Sequence, residues 1–140
     1  MKHKAGNVDT VIFACIHNAG RSQIASAFFN AQADPGKAHA ISAGTEPTER
    51  VHPEVVEAMK ESGLDISSKI PRKLTLELAQ GARLLVTMGC GDKCPYVPGL
   101  RRMDWALADP KGQKLERVRE IRDDIRSKVA ALIDLEGWGN

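Results

Sequence analysis

The period of the hydrophobic positions changes along the chain, and the changes divide it into alternating strands and helices. Thr10, Val11, Ile12, Phe13 and Ala14 form a β-branched, apolar run without polar alternation, the pattern of a strand buried on both faces. Residues 22–30 then place Ile24, Ala25, Phe28 and Phe29 on one helical face. Asp34, Pro35 and Gly36 mark a turn, and residues 38–43 read as a second strand ended by Gly44. Pro53 opens a helix at a favoured first-turn position, with Val55, Val56, Ala58 and Met59 apolar, and Ser62 and Gly63 close it. Residues 75–79 predict a short helix, and Leu84, Leu85, Val86, Thr87 and Met88 make the clearest strand. Residues 101–105 predict a short fourth strand. The last helix covers residues 115–135, where Leu115, Val118, Ile121, Ile125, Val129 and Leu132 recur at spacings of three and four. Strands alternating with helices imply right-handed crossovers. The expected fold is α/β, a three-layer sandwich with a four-stranded parallel sheet and helices on both faces. Ligands of such folds sit at the carboxyl ends of the strands. The residues following Ala14, Met88 and Trp105 are therefore the ones to examine.

Composition narrows the function classes. A chain of 140 residues fits a single domain, residues 1–140, and its 42% apolar and 27% charged content is that of an ordinary globular protein. A formal net charge of +2 argues against a nucleic-acid or membrane surface, while leaving room for a local basic site for a small anion. The basic start, residues 1–4, is not followed by a secretory signal, and no run approaches a membrane span, so the cytoplasm is the expected location. Three cysteines, Cys15, Cys90 and Cys94, do not make a disulfide scaffold in that compartment. They are packing residues, metal ligands or chemistry.

The first strand runs into Cys15, Ile16, His17, Asn18, Ala19, Gly20, Arg21 and Ser22, and a helix follows at once. The spacing C-x5-R-S at such a junction has a physical logic. Five residues can wrap a tetrahedral oxyanion so that successive backbone N–H groups point inward. The helix N-terminus adds its positive dipole end. Arg21 can grip two oxygens bidentately. Cys15 then lies beneath the central atom, where the positive field favours the reactive thiolate and Ser22 can donate its hydroxyl to the sulfur. Gly20 permits close backbone approach, and Asn18 tolerates left-handed geometry. Alternatively, Cys15 is only a small hydrophobe ending a buried strand.

Asp109 and Pro110 lie past the fourth strand. An Asp beside a bound oxyanion can protonate a departing oxygen, but Asp-Pro is also common in turns. Cys90 and Cys94 follow the third strand at the same sheet edge as Cys15. A metal site would need more ligands, since C-x3-C has no second pair and no nearby His. Inert core cysteines are the other alternative. Gly91, Asp92 and Lys93 between them argue instead for a mobile surface segment.

The loop of residues 15–22 resembles the phosphate-binding loop of low-molecular-weight protein tyrosine phosphatases and of the arsenate reductases that share their fold. Further segments match in order: Ser42, Ala43, Gly44 and Thr45; Pro53, Ala58 and Gly63; Asp65, Ile66 and Ser67; Asp109 and Pro110; and residues 117–125. The segment of residues 87–95, carrying Cys90 and Cys94, resembles the redox segment of the reductases. The resemblance implies reduction of arsenate to arsenite, with Cys15 as nucleophile, Arg21 and the residues from Ile16 to Ser22 holding the oxyanion, and Asp109 as general acid. Cys90 and Cys94 would be the redox cysteines. Phosphate would compete. No bound cofactor or metal is implied. The external reductant would be thioredoxin, although the three residues between Cys90 and Cys94 are fewer than thioredoxin-coupled relatives usually have. A low-molecular-weight thiol with glutaredoxin is the alternative donor. Some relatives hold a potassium ion with a carboxylate one turn into the first helix; Ser26 falls there, so that site is not expected. A monomer with a transient thioredoxin-like partner is expected.

A low-molecular-weight protein tyrosine phosphatase is the competing reading. It would use the same Cys15, Arg21 and Asp109, through a Cys15 phosphoenzyme. Its slot is usually walled by aromatics following the Asp-Pro, where this chain has Lys111, Gly112 and Gln113. Of the few aromatics, Phe13, Phe28 and Phe29 fall at core positions, which leaves Tyr96 and Trp105 to line a pocket. A non-catalytic oxyanion-binding module would not need three thiols and Asp109 together.

Overall fold

The computed structural model describes residues 8–90, 94 and 96–139. The readings placed on residues 1–4 and on Gly91, Asp92 and Lys93 lie outside the described residues. Eight elements follow one another: β1 (Asp9–Cys15), α1 (Arg21–Gln32), β2 (Ala38–Gly44), α2 (Pro53–Glu61), α3 (Leu76–Gln80), β3 (Leu84–Thr87), β4 (Arg101–Asp104) and α4 (Leu115–Glu136). The strands form one sheet in the order β2-β1-β3-β4, and every pair is parallel.

β1 lies in the middle, which explains its unbroken apolar run. Val11, Phe13 and Cys15 face a cluster built with α1, α2 and α4. Ile12 and Ala14 face a smaller cluster with α3. Each fully buried large side chain here contributes about 1.5–3 kcal/mol. Phe29 of α1 is the ring on which the larger cluster turns, with Phe13 at 5.9 Å and Trp138 at 5.7 Å between ring centroids. The helices cover both faces unequally, three against one. The fourth strand ends at Asp104 rather than Trp105. Its charged residues face solvent along the sheet edge, which discourages pairing with another chain.

The register aligns the strand ends. Cys15 pairs with Gly44, Ala14 with Thr87, and Thr87 with Asp104. All four strands therefore deliver their following loops to one rim.

α2 and α4 are joined by ion pairs as well as by apolar contact. The Glu61 carboxylate accepts from Arg119 Nε and Nη2 at 2.9 and 2.7 Å and from Arg122 Nη1 at 2.9 Å. Arg122 Nη1 also donates to the Ala58 carbonyl at 2.8 Å. The hydrogen bonds from Arg119, then Arg122, hold the Glu61 carboxyl down to about 2 from the usual 4.5. A carboxyl lowered in the folded state stabilises it above the unfolded-state value, and this contribution is lost as pH falls through the folded-state value. Urea unfolding of the wild type and Glu61→Gln is therefore expected to differ above pH 4.5, with the gap closing toward pH 2. High salt should shrink the gap, since the pair is exposed.

Candidate active site

The loop from Cys15 to Arg21 is held open by its carbonyls. Cys15 O accepts from Thr45 N (3.2 Å), Ile16 O from Glu46 N (2.7 Å), and His17 O from Thr48 N (3.2 Å). Asn18 O accepts from Gln23 Nε2 at 3.1 Å. Ala19 O accepts from His52 N at 2.9 Å, and Gly20 O from Ile24 N at 3.0 Å. In a planar trans peptide the C=O of one residue and the N–H of the next point in opposite directions. Six successive carbonyls turned into the protein leave the N–H groups of residues 16–21 facing the other way, around a common concavity. A ring of N–H donors at a helix N-terminus is the arrangement that binds tetrahedral anions.

Asn18 is the hub of the loop. It is fully buried, and its φ of 53° is the one positive value at a non-glycine among the described residues. Its Oδ1 accepts from Arg72 N at 3.0 Å, which leaves Nδ2 to donate to Ser22 Oγ at 2.8 Å. Ser22 Oγ in turn lies 2.9 Å from Cys15 Sγ, and its hydroxyl is the donor when the sulfur is a thiolate. The sulfur that the sequence reading placed beneath an anion is thus oriented by a two-step chain from Asn18. Cys15 is 2% exposed, as expected for a group at the floor of a cup.

Arg21 is buried and reaches toward the rim. Its Nη1 donates to Leu107 O at 3.3 Å, and its Nη2 lies 3.7 Å from Asp109 Oδ2. Asp109 closes a turn with one carboxylate oxygen and faces Arg21 with the other. Its Oδ1 accepts from Lys111 N at 3.0 Å, closing the turn, and its other oxygen faces the site. Gly20 is required for this closure, because a Cβ there would meet Pro110 Cγ at 2.8 Å.

Several residues around the site were given no role there by the sequence. Gly44 lies so close to the loop that a Cβ would fall 2.6 Å from Ile16 O and 2.9 Å from Asn18 N. His52, at the N-terminus of α2, joins its backbone to Ala19 and lies beside Gly20; burial lowers its pKa below the usual value. Glu54 accepts from Gly112 N at 2.8 Å and so ties α2 to the Asp109 loop. The proline that opens α2 was the one visible hint that a helix end would stand here.

Cys90 and Cys94 form a disulfide, with Cα atoms 5.6 Å apart. A four-residue offset is thus short enough to close. Neither cysteine is on the surface, which corrects the expectation drawn from their polar neighbours. They are 4% and 5% exposed and belong to the α3-side cluster with Ile12, Ala14 and Leu85. Cys15 belongs to the cluster on the opposite face. The two sites meet at the rim, where Gly89 adjoins Arg21: a Cβ on Gly89 would collide with Arg21 Nη1.

The aromatics do not build a slot. Trp105 packs against Phe13 at 5.7 Å, and Tyr96 is 79% exposed. A cavity of about 470 Å³ opens between α1 and β2, lined by Gln23, Ser26, Asn30, Ser42 and Arg72 among others, but it does not contain Cys15. Ser26 Oγ donates to Gln23 O at 3.3 Å. No helix among the described residues is long and apolar enough to cross a membrane.

Known proteins resemble this chain in sequence and in fold. A putative arsenate reductase of Halobacterium salinarum is 40% identical over 126 residues, covering 87% of this chain and 89% of that protein. A protein of Synechocystis named glutaredoxin arsenate reductase is 35% identical over 126 residues, covering 88% of this chain and 95% of that one. The structure of a thioredoxin-dependent arsenate reductase of Corynebacterium glutamicum superposes with a TM-score of 0.78 at 38% identity, over 91% of this chain and 61% of that chain. This protein thus spans about three fifths of the length of the Corynebacterium enzyme. The family pattern of the low molecular weight phosphotyrosine protein phosphatases matches residues 10–136. That pattern spans most of the chain, and the chain belongs to the low molecular weight phosphotyrosine protein phosphatase family.

Proposed function

We propose that this protein reduces arsenate to arsenite through a relay of three thiols. One observation carries the reading: a disulfide of Cys90 and Cys94 follows directly on Gly89, which lies against the guanidinium of Arg21. A phosphatase has no use for a redox pair at that place. Arsenic(V) must gain two electrons, and a thiol pair that closes to a disulfide supplies them.

Arsenate binds in the ring of N–H groups of residues 16–21, with Arg21 turning its donors onto two oxygens. The Cys15 thiolate, held by Ser22, attacks arsenic and forms an S–As bond. Asp109 gives its proton to the departing oxygen, which leaves as water. The Cys90 thiolate then attacks Cys15 Sγ. An S–S bond forms, the S–As bond breaks, and its electron pair stays on arsenic, which leaves as arsenite. Cys94 attacks Cys90, releasing the Cys15 thiolate and leaving the Cys90–Cys94 disulfide. An external dithiol restores the two thiols by exchange. The Corynebacterium and Synechocystis relatives carry thioredoxin and glutaredoxin in their names, and a protein of that class is the proposed partner. Phosphate, of the same shape and charge, competes for the loop.

The test is a reaction with no reductant. Fully reduced protein incubated with arsenate is expected to form about one arsenite per chain, with a Cys90–Cys94 bond found by peptide mapping. Rapid hydrolysis of phosphotyrosine peptides with no arsenite formed would replace this reading by the phosphatase one.

A further inference from the structure

Gly89 stands between the two halves of the site. Its φ is 98°, and a Cβ on it would lie 3.2 Å from Arg21 Cζ and 3.5 Å from Nη2, besides colliding with Nη1. The Arg21 guanidinium therefore packs directly on the backbone of residue 89. The chain is anchored on both sides of this contact. Met88, fully buried, donates its N–H to Ala14 O at 2.7 Å. Cys90 is buried and bonded to Cys94. Gly89 joins a buried, hydrogen-bonded strand end to a cysteine held in the disulfide.

Arg21 in this arrangement directs Nη1 to Leu107 O and Nη2 toward Asp109. An oxyanion seated over Cys15 must take or share these donors. For Cys90 to reach Cys15, the backbone at 89 has to turn around the rim from the α3 side, and Arg21 cannot keep its present neighbour when it does. From this packing we infer that Gly89 is a positioning residue that links the oxyanion grip of Arg21 to the redox state of Cys90 and Cys94. The disulfide form holds Arg21 toward Leu107 and Asp109, and the dithiol form binds the oxyanion more tightly. The inference rests on the reading of residues 16–22 as an oxyanion loop. It gives the cycle a direction: the oxidised enzyme, which cannot reduce another arsenate, also grips anions less well until an external dithiol has restored it.

Coupling between two sites is reciprocal, so it is measurable from either side. Inorganic phosphate serves as the probe. Its Kd is measured by calorimetry on the disulfide form and on the form reduced with dithiothreitol and desalted, at one pH and ionic strength. Separately, the midpoint of the Cys90–Cys94 couple is measured in dithiothreitol redox buffers with and without saturating phosphate. In that equilibrium the disulfide takes two electrons and two protons from dithiothreitol, which closes to its cyclic disulfide. Phosphate is expected to bind the dithiol form about fivefold or more tightly. The midpoint should become less negative by the matching amount, about 30 mV for a tenfold difference. Gly89→Ala, by displacing the guanidinium, should weaken phosphate in both forms and remove most of the difference. Arg21→Lys keeps the charge but not the fork that touches residue 89, and should remove the difference even if the alanine variant fails to fold.

Equal affinities and a phosphate-independent midpoint in the wild type would overturn the inference. A purely structural Gly89 would weaken binding in its variant without moving the wild-type midpoint. An unmoved midpoint together with arsenite formation would leave the proposed function intact. A shifted midpoint without arsenite would do the reverse. Phosphate failing to bind either form would remove both.

Discussion

Cys15→Ser is expected to lose arsenite formation by on the order of 10⁴-fold or more, the scale seen when a nucleophile is removed from a site whose groups act as a unit. A hydroxyl in place of the sulfur leaves the ring of N–H donors, Arg21 and the Ser22 contact geometry in place, so phosphate binding should persist. What is lost is the S–As bond and, with it, the sulfur that Cys90 must attack. An arsenite assay beside a phosphate titration separates the two roles. Activity retained within a few-fold in the serine variant would return Cys15 to the status of a packing residue ending β1, since a serine cannot carry the electron transfer.

The second large effect is expected at the other end of the relay. Cys94→Ser should release a single burst of about one arsenite per chain and then stop. Cys90 can still attack Cys15 and release arsenite, but no third sulfur then frees Cys15, and a Cys15–Cys90 disulfide accumulates. Mass spectrometry of the unreduced protein after the burst would identify that bond. The structure makes the outcome sharp, because Cys94 is the residue bonded to Cys90 and both are buried in one apolar cluster. Continued turnover at the wild-type rate with a monothiol donor, and no trapped bond, would mean that an external thiol resolves Cys90 directly.

The candidate site was legible where its chemistry is contiguous. Cys15 through Ser22 occupy one stretch, and their spacing at a strand–helix junction points to a loop of the size an oxyanion needs. The two sulfurs of Cys90 and Cys94 could be assigned to the same rim because β3 is a plain apolar run that had to be parallel to β1. Their burial could not be read, since the polar residues between them argued for the surface. What covers them comes from other parts of the chain: Ile12 and Ala14 of β1, Ala79 of α3 and Leu74. The aromatics illustrate the same division. Phe13, Phe28 and Phe29 were assignable to the core by period, whereas Trp105, just past the end of β4, is tied to Phe13 of β1, two strands away in the sheet.

By itself, the sequence determined the order and type of the elements, the parallel sheet and the candidate for the reacting sulfur. These follow from periodicity, turn chemistry and the spacing of neighbours, all of which act over a few residues. The tertiary structure alone decided how that sulfur is oriented and what touches it. Asn18 is held by Arg72, Ala19 by His52, Ile16 by Gly44 and Glu46, and Arg21 by Leu107, Asp109 and Gly89. Each partner is 28 to 88 residues away along the chain. Contacts of that kind depend on which loops the sheet register brings to one rim, and no local pattern encodes a register.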